Sequence, residues 1–377
     1  MVLWAAVVTA DVIAQPVRAL NSVADTDFVA FLTGGRLLGS EPRCLYCSSA
    51  QLDAQTAVLG HAPANGLDQF VNPPLAAFVM RPLTVLSAQT ALLIWLAVSV
   101  LALVTAVAVV ARRLLPHVRK QRLPLVIGVT VLPGMAASIA YGQWDALALL
   151  AAVVAVDRLQ RGDSMVAGLL LACLAVKPQL MFLAVPALLF ARSWRTLAGI
   201  AAGLAVWTAS TVALIGADGA TTWVRDVLPA RVGEASKAVG VPGLMASLGF
   251  SDTAAFAGAA AMTAIAVILL WRRRAALQAD PAMAAGLGIT ASVACSPHVF
   301  AGDVALMGVL LALEARHRPG PAWTAAVILG AATVLDSLWP AVHTQAIVVL
   351  VLLATRLASR PQGSATLRRA AERPASA

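Results

Sequence analysis

The chain has 377 residues, of which 60% are hydrophobic and only 12% are charged. A soluble domain carries roughly a quarter of its residues as Asp, Glu, Lys or Arg, so the composition excludes a soluble globular protein and predicts an integral membrane protein. The formal net charge of +9 comes from short basic clusters between apolar runs. Such placement is typical of cytoplasmic loops under the positive-inside rule, and it argues against a nucleic-acid-binding surface.

The chain opens with an apolar segment, residues 2–20, that contains Asp11 and Arg18. It lacks a basic n-region and a small-residue cleavage site, which predicts a retained transmembrane helix and not a signal peptide. Residues 21–72 then form a long polar and mixed loop on the extracytosolic side. Loops of this length are usually functional or disordered, and helical patterning within it favours a functional loop with short amphipathic helices.

Two carboxylates, Asp25 and Asp27, open the stretch 24–39, in which apolar residues recur at helical spacing. This pattern predicts a helix lying along the membrane surface. An Asp at a helix start is often an N-cap that accepts hydrogen bonds from backbone N–H groups. The alternative is a general base at the boundary between water and lipid, and the sequence leaves both open.

The same loop carries a pair of nearby cysteines, Cys44 and Cys47. Zinc sites need about four ligands, and only His61 is close in sequence. In an extracytosolic loop, a bridged pair or a free vicinal pair is therefore favoured over a metal site.

After the loop, the apolar run 75–86 is interrupted by Arg81-Pro82. Twelve helical residues rise only about 18 Å, against roughly 30 Å for the hydrocarbon core, so a re-entrant or tilted piece is predicted. Residues 88–111 are long enough for a full span. The strongest basic cluster of the chain follows at 112–122 and is placed in the cytoplasm.

The remaining basic loops are also placed in the cytoplasm, so each apolar stretch between two of them must leave the cytoplasmic side and return. The predicted hairpins are 123–157, 164–191, 196–271, 281–314 and 322–356, with tips near 141–145, 177–179, 217–253, 296–298 and 336–340. The predicted fold is an all-α polytopic membrane protein with about 10–12 transmembrane helices. In the second hairpin each arm holds only about 13 residues, so a single kinked helix is the alternative there. As a hairpin, it would recess Lys177 within the membrane.

Polar residues from separate segments gather at the predicted extracytosolic ends. They are Asp25, Asp27, Gln143, Asp145, Lys177, Gln179, His298 and Asp303. Charges at membrane depth are costly and usually face a watery cavity, where they pair with each other or with a ligand. Taken singly, Lys177 could snorkel to the interface, His298 could cap a carbonyl, and Asp145 and Asp303 could be structural ion-pair partners.

A carboxylate base beside a cation suits transfer of a group from a lipid-phosphate donor to a hydroxyl. The Asp would take the acceptor proton, and Lys or protonated His would stabilise the departing phosphate. Since no glycine-rich phosphate loop, zinc signature or Ser-His-Asp order is present, nucleotide-dependent chemistry is disfavoured. The alternatives are a secondary transporter or lipid or glycan flippase, in which such charges mark a substrate path, and a non-catalytic assembly subunit.

Short motifs in a fixed order along residues 27 to 303 resemble glycosyltransferase family 87. They are Asp27-Phe28, Leu37-Leu38-Gly39, Leu45-Tyr46, Asn72-Pro73-Pro74-Leu75, Arg81-Pro82-Leu83, Gly142-Gln143, Lys177-Pro178-Gln179 and Ser296-Pro297-His298 with Asp303. Asn72 stands where the family usually has an aromatic residue, and Phe31 where Tyr is common. The resemblance implies the GT-C fold and a polyprenyl-phosphate-mannose-dependent α-mannosyltransferase.

The resemblance also implies roles for individual residues. Asp27 would be the catalytic base with His298 near the reacting groups, and Lys177 with Gln179 would lie near the donor phosphate. Asp25, Gln143, Asp145 and Asp303 would be supporting residues. Transfer would be an inverting single displacement from the lipid-linked donor, with no further cofactor expected. The sequence leaves metal dependence open, since no acidic cluster demands a divalent ion.

The predicted organisation is one transmembrane glycosyltransferase domain, residues 1–360, and a disordered basic cytoplasmic tail, residues 361–377. Within the domain, 21–72 is the extracytosolic catalytic loop and 217–253 a second extracytosolic loop. The expected partners are membrane lipids, the polyprenyl-phosphate sugar donor and a glycan or glycolipid acceptor, with no nucleic acid. We expect a monomer in the plasma membrane, with an extracytosolic active site and a cytoplasmic C-terminus.

Overall fold

The computed structural model of the protein describes residues 14, 16–115, 132–228, 238–338 and 344–358. All regular structure in these residues is helical, with no strand. The all-α prediction is therefore confirmed. The predicted first helix lies mostly outside the described residues, and so does the predicted C-terminal tail.

The described chain consists of helices joined by turns and loops. In order they are α1 Phe28–Ser40, α2 Ser48–Leu59, α3 Pro74–Met80, α4 Ala88–Val109, α5 Leu132–Ala140, α6 Asp145–Gln160, α7 Ser164–Ala172, α8 Ala184–Phe190, α9 Trp194–Thr222, α10 Val241–Ser247, α11 Asp252–Arg272, α12 Arg274–Ala279, α13 Pro281–Cys295, α14 Met307–Ala315, α15 Pro319–Leu338 and α16 Thr344–Ala358. Short 3₁₀ turns connect several of them, including Arg81–Val85 after α3 and Pro178–Leu180 before α8.

Three helical runs among the described residues are long and apolar enough to cross a membrane: Ala88–Leu114, Trp194–Val227 and Asp252–Arg272. The first of them confirms the full span predicted at 88–111. Other apolar helices of the described chain are shorter, at 10–17 residues. The run Pro74–Val85 is one of these, as the interrupted segment 75–86 predicted, whereas the total number of crossings stays a prediction.

The segment 164–191 is a hairpin and not one kinked helix. A Cβ added to Gly168 in α7 would collide with the Thr196 carbonyl of α9, and one added to Gly203 would collide with Ala172. Residue numbers therefore rise together along the two helices, so α7 and α9 run in the same direction, and the chain between them must reverse. The reversal falls at Lys177, between two 3₁₀ turns. Glycines permit this close approach of two helices.

Two other predicted tips are also confirmed. The turn Tyr141–Trp144 separates α5 from α6, and residues 296–302 separate α13 from the 3₁₀ turn and helix that follow it. The tip predicted at 336–340 falls where α15 ends, and residues 339–343 lie outside the described residues. Within the predicted loop 217–253, residues 229–237 lie outside them as well.

Helix α1 is buried within the protein, and its orientation relative to the membrane surface stays a prediction. Every residue from Phe28 to Leu38 except Arg36 is buried. The reason is that apolar and small side chains occupy all sides of this helix, which is the pattern of a buried helix and not of an amphipathic one. A Cβ on Gly34 would lie 2.7 Å from the Phe70 ring, so glycine here lets the chain after α2 pack directly onto α1.

The two cysteines of the first loop are free thiols in the structure, at the level of the turn between α1 and α2. The hydrogen bond with Cys44, together with partial burial, raises the pKa of the Cys47 thiol to about 11. Of the two alternatives for this pair, the structure has the free vicinal pair.

Candidate active site

A cavity of about 670 Å³ opens where the first loop meets the tips of three inner segments. It collects five of the eight predicted site residues: Asp27, Gln143, Lys177, Gln179 and His298. Asp145 and Asp303 lie directly behind Lys177 and do not line the cavity. Asp25 is exposed and outside it. Phe31, Asp68, Gln69, Asn72, Trp223 and Phe300 also line the wall.

Asp27 occupies the N-cap position of α1, but its side chain makes no capping bond. Its backbone carbonyl accepts from Phe31 N–H at 3.3 Å, as the first turn requires. Its carboxylate instead accepts a hydrogen bond from Gln143 Nε2. The alternative in which Asp27 serves only as a cap is therefore not what the structure shows.

Gln143 reaches Asp27 because the turn Tyr141–Trp144 is fixed against the start of α1. Phe28 N–H donates to the Tyr141 carbonyl at 3.1 Å, and Trp95 Nε1 donates to the Gly142 carbonyl at 2.7 Å. Gly142 has φ +74°, a conformation that glycine adopts without strain. A Cβ at this position would also stand 2.6 Å from Phe28 Cβ. Glycine thus allows the contact that places Gln143 beside the carboxylate.

Lys177 forms a buried ion triad with two carboxylates. Its Nζ lies 2.5 Å from Asp145 Oδ1 and 2.9 Å from Asp303 Oδ1. The three residues are 5%, 1% and 0% exposed, respectively. Asp145 and Asp303 are thus ion-pair partners of Lys177, and the buried Lys177 side chain does not snorkel to an interface.

The second oxygen of each carboxylate in this triad is also satisfied. Ser138 Oγ donates to Asp145 Oδ2 at 2.6 Å, and Phe300 N–H donates to Asp303 Oδ2 at 2.9 Å. An ammonium group has three donors, and two of those of Lys177 are used within the triad. The residue still borders the cavity, so contact with a ligand stays a prediction for its remaining donor.

His298 reaches the cavity from the turn after α13. Its backbone N–H donates to Ser296 Oγ at 3.1 Å, and its ring packs edge-on against Phe300 with centroids 4.8 Å apart. The ring is half-buried and lies on the cavity wall. Because Phe300 N–H is bonded to Asp303, this turn couples His298 to the triad.

Residues 67–73, here called the strap, form a cavity wall that the sequence did not predict. The strap is tied to α2 by two glutamines, Gln51 and Gln55, which are 2% and 1% exposed. Gln55 accepts from Asp68 N–H at 3.2 Å and donates to the Asp68 carbonyl at 3.0 Å. Gln51 does the same for Phe70, at 2.9 and 3.1 Å. In the sequence, the only sign of this contact is the spacing of four residues between Gln51 and Gln55, which puts both side chains on one face of a helix.

The far end of the strap is held by two aromatic side chains. Trp223 Nε1 donates to the Val71 carbonyl at 2.9 Å, and Tyr46 OH donates to the Asn72 carbonyl at 2.8 Å. Burial raises the pKa of the Tyr46 phenol well above its usual value, so it remains a donor at neutral pH. Asn72 in turn donates from Nδ2 to the Val176 carbonyl at 3.1 Å.

Within the described parts of the chain, no group of three His, Cys, Asp or Glu side chains is close enough to hold a metal ion. Among the described lining residues, the polar side chains are amides, one ammonium, one imidazole, the indole of Trp223 and the carboxylates of Asp27 and Asp68. Such a set can exchange protons and hydrogen bonds with hydroxyl groups.

Comparison with known proteins places this site in a family. A model of glycosyltransferase family 87 matches residues 70–297, more than half of the chain. The chain belongs to glycosyltransferase family 87. The protein is therefore a glycosyltransferase built of membrane helices, which favours the enzyme over a transporter or flippase. Searches of curated proteins and of solved structures returned no match.

The family match covers part of the cavity wall only. It includes Asn72, Gln143, Lys177 and Gln179, while Asp27 precedes it and His298 follows its last residue. The structure nevertheless brings both of these residues to the same cavity. Their roles belong to the proposal that follows.

Proposed function

We propose that the protein transfers mannose from a polyprenyl-phosphate-mannose donor to a hydroxyl of a lipid-linked or cell-envelope glycan, with inversion and with Asp27 as general base. The observation that carries the proposal is the Asp27 carboxylate, which faces the cavity from the first loop and is oriented by Gln143. Membership of glycosyltransferase family 87 supports the reaction class.

The proposed step is a single displacement at the anomeric carbon of the donor sugar. Asp27 accepts the proton of the acceptor hydroxyl while the acceptor oxygen forms a bond to that carbon. The bond from the carbon to the phosphate oxygen breaks, and the phosphate leaves with the electron pair. Backside attack inverts the anomeric configuration, so a β-linked donor gives an α-linked product.

The charge of the cavity favours a donor with one phosphate. Among its described lining residues, only Lys177 and His298 can carry a positive charge, and Lys177 is paired with two carboxylates. A sugar phosphodiester brings one negative charge, which the third Lys177 donor and the His298 ring can meet, with Gln179 beside them. Donors to a leaving phosphate stabilise the transition state. No step of this proposal uses a divalent ion, so we expect transfer to survive EDTA.

The orientation in the membrane follows from the basic loops. With these in the cytoplasm, the cavity opens on the extracytosolic face of the plasma membrane and the C-terminus is cytoplasmic. We propose that residues 1–360 form one catalytic domain, with the first loop 21–72 supplying Asp27, and that it acts as a monomer.

The direct test replaces Asp27 by Asn, which keeps the shape of the side chain and removes the basic carboxylate. Transfer from polyprenyl-phosphate-[¹⁴C]mannose in nanodiscs should fall about 100- to 10,000-fold, with an unchanged Tm. Asp53→Asn, an exposed carboxylate of α2, is the matched control and should keep full activity. Full activity of Asp27→Asn would show that Asp27 is not the general base. If the wild type transfers no sugar from any polyprenyl-phosphate donor, the proposed donor class is wrong.

A further inference from the structure

The turn Cys44-Leu45-Tyr46-Cys47, between α1 and α2, brings two thiols together. Cys47 N–H donates to the Cys44 carbonyl at 3.0 Å, which closes a β-turn. Such a turn keeps its first and fourth Cα atoms less than about 7 Å apart, and a disulfide needs about 4.4–6.8 Å. A hydrogen bond also links the two thiols. The backbone of the reduced pair is therefore already arranged for a disulfide.

Both thiols of this turn can be reached from solvent. Cys44 and Cys47 are half-buried, whereas Cys295 is buried. The proposed orientation puts the first loop on the extracytosolic face, where disulfides form and persist. The pair is thus accessible to an external disulfide in the compartment that favours oxidation.

The two residues between the cysteines hold the strap. Gln51 Nε2 donates to the Leu45 carbonyl at 2.7 Å and, from the same nitrogen, to the Phe70 carbonyl at 3.1 Å. Tyr46 stacks on Phe70 with ring centroids 6.1 Å apart, and its OH donates to the Asn72 carbonyl at 2.8 Å. A bond that closes the turn would therefore fix the groups that hold this part of the cavity wall.

We propose that Cys44 and Cys47 form a reversible disulfide that fixes the strap at the cavity wall. A bridge across the turn restricts its opening, so Tyr46 stays against Phe70 and Asn72. Reduction releases the turn and loosens the strap. This modification acts on the wall of the cavity whichever sugar donor the protein uses.

The bond forms by exchange with an external disulfide, such as oxidised glutathione. A thiolate of the pair attacks one sulfur of that disulfide, which gives a mixed disulfide and releases one thiol. The other cysteine then attacks the protein sulfur of the mixed disulfide, so that the Cys44–Cys47 bond forms and a second thiol leaves. The pair loses two electrons and two protons, and the external disulfide takes them up as it becomes two thiols.

The hydrogen bond between the thiols favours one order of attack. The bond with Cys44 raises the pKa of the Cys47 thiol to about 11. Cys47 is therefore a poor first nucleophile at neutral pH, because the thiolate is the attacking species. We expect Cys44 to form the mixed disulfide and Cys47 to resolve it.

Counting free thiols tests the bond. In a Cys173→Ala background, which removes an exposed thiol, the protein in nanodiscs is equilibrated with glutathione buffers of increasing oxidation. It is then denatured in N-ethylmaleimide and measured by intact mass spectrometry. The oxidised protein should carry two fewer maleimides than the reduced protein, with no glutathione in their place, and dithiothreitol should restore both thiols.

Cys44→Ser and Cys47→Ser in the same background are the matched controls. Neither should form an internal bridge at any ratio of oxidised to reduced glutathione. The proposal is overturned if the parent protein keeps all its thiols or takes up glutathione without closing the bridge. A bridge in either control would overturn it as well, since another pair would then be responsible.

Hydrogen exchange tests whether the bond reaches the strap. Amide exchange at residues 68–72 should be about fivefold slower in the oxidised form, because about 1 kcal/mol of added stability shifts an opening equilibrium by that factor. Phe70 N–H is the most direct reporter, since it donates to Gln51 Oε1 at 2.9 Å. In the double variant Cys44→Ser with Cys47→Ser, the oxidant should change nothing. Equal exchange in the two forms, or slower exchange in the double variant, would overturn the coupling of the bond to the strap.

Discussion

The carboxylates near the cavity fall into two groups that differ in their surroundings: Asp27 lies on the cavity wall, and Asp145 and Asp303 lie behind it. Asp145 and Asp303 are fully buried and share one ammonium group, and both oxygens of each are bonded. Asp27 is half-buried, faces the cavity and accepts from the neutral amide of Gln143. The oxygens of the two buried carboxylates are already bonded within the protein, whereas the Asp27 carboxylate lies on the cavity wall, where a ligand hydroxyl can reach it. The difference separates a structural role from a chemical one.

The triad joins three segments that are far apart in sequence: the start of α6, the hairpin tip at Lys177 and the turn before α14. These segments carry Gln143, Gln179 and His298 to the cavity. Rigid support of this kind holds catalytic side chains in register. The comparison predicts that loss of the triad harms folding first, while changes around Asp27 harm chemistry first.

The largest expected effect comes from Lys177→Met. Removing one partner of a buried ion pair leaves uncompensated charge and costs about 3–5 kcal/mol. The free energy of unfolding, measured by SDS titration in mixed micelles, should fall by that amount, and expression in membranes should drop. Transfer would be lost together with the fold.

A compensating variant separates the two roles of Lys177. Combining Lys177→Met with Asp145→Asn and Asp303→Asn removes the unpaired charges and should restore most of the stability. Transfer should stay low if the third Lys177 donor contacts the donor phosphate. Wild-type stability of Lys177→Met alone would contradict a structural triad.

The next largest effect is expected from Gln143→Ala, which changes the surroundings of Asp27 and leaves the Lys177 triad intact. Without the amide, the Asp27 carboxylate loses the group that orients it, so we expect kcat to fall about tenfold with little change in stability. Gln143→Glu is the informative partner, because a second carboxylate would repel Asp27 and should lower kcat further. If Gln143→Ala lowers the free energy of unfolding as much as Lys177→Met does, the contact between Gln143 and Asp27 is structural, like the Lys177 triad.

The sequence allowed the hairpin tips to be predicted, because basic clusters fix orientation and apolar runs fix length. The sequence could not decide between snorkelling, ligand binding and ion pairing for Lys177, because that choice depends on partners more than 30 residues away, such as Asp145. The contact between Gln143 and Asp27 likewise depends on the close approach of Gly142 to Phe28. The burial of α1 was readable in principle, because its apolar residues surround the helix.

The strap could not be predicted for a different reason. It has no hydrophobic period, and its conformation comes from side-chain bonds that reach across to α2 and to Trp223. Two glutamines four residues apart on a helix are usually exposed. Their burial follows only once the chain after α2 is known to fold back over them.

A smaller effect is expected from Tyr46→Phe, which removes the hydroxyl bond to the Asn72 carbonyl and keeps the ring stacked on Phe70. The loss of one such bond costs about 1 kcal/mol, visible as a shift in Tm. We expect a rise of a few fold in KM and an almost unchanged kcat, since the strap loosens while Asp27 keeps its partner. A fall in kcat as large as that of Gln143→Ala would mean that the strap acts directly on the base.

The smallest effect is expected from Asp25→Ala, although Asp25 is only two residues from Asp27. Its carboxylate is exposed, and it accepts from Ser22 Oγ and, at 3.4 Å, from Asn65 Nδ2. Surface substitutions of this kind usually change stability by no more than about 0.5 kcal/mol, and the side chain does not line the cavity. Transfer and Tm should both match the wild type. If Asp25→Ala and Asp27→Asn lose the same amount of activity, a place on the cavity wall and a bond to Gln143 do not identify the reactive carboxylate. The contrast drawn above between structural and reactive carboxylates would then be unsupported.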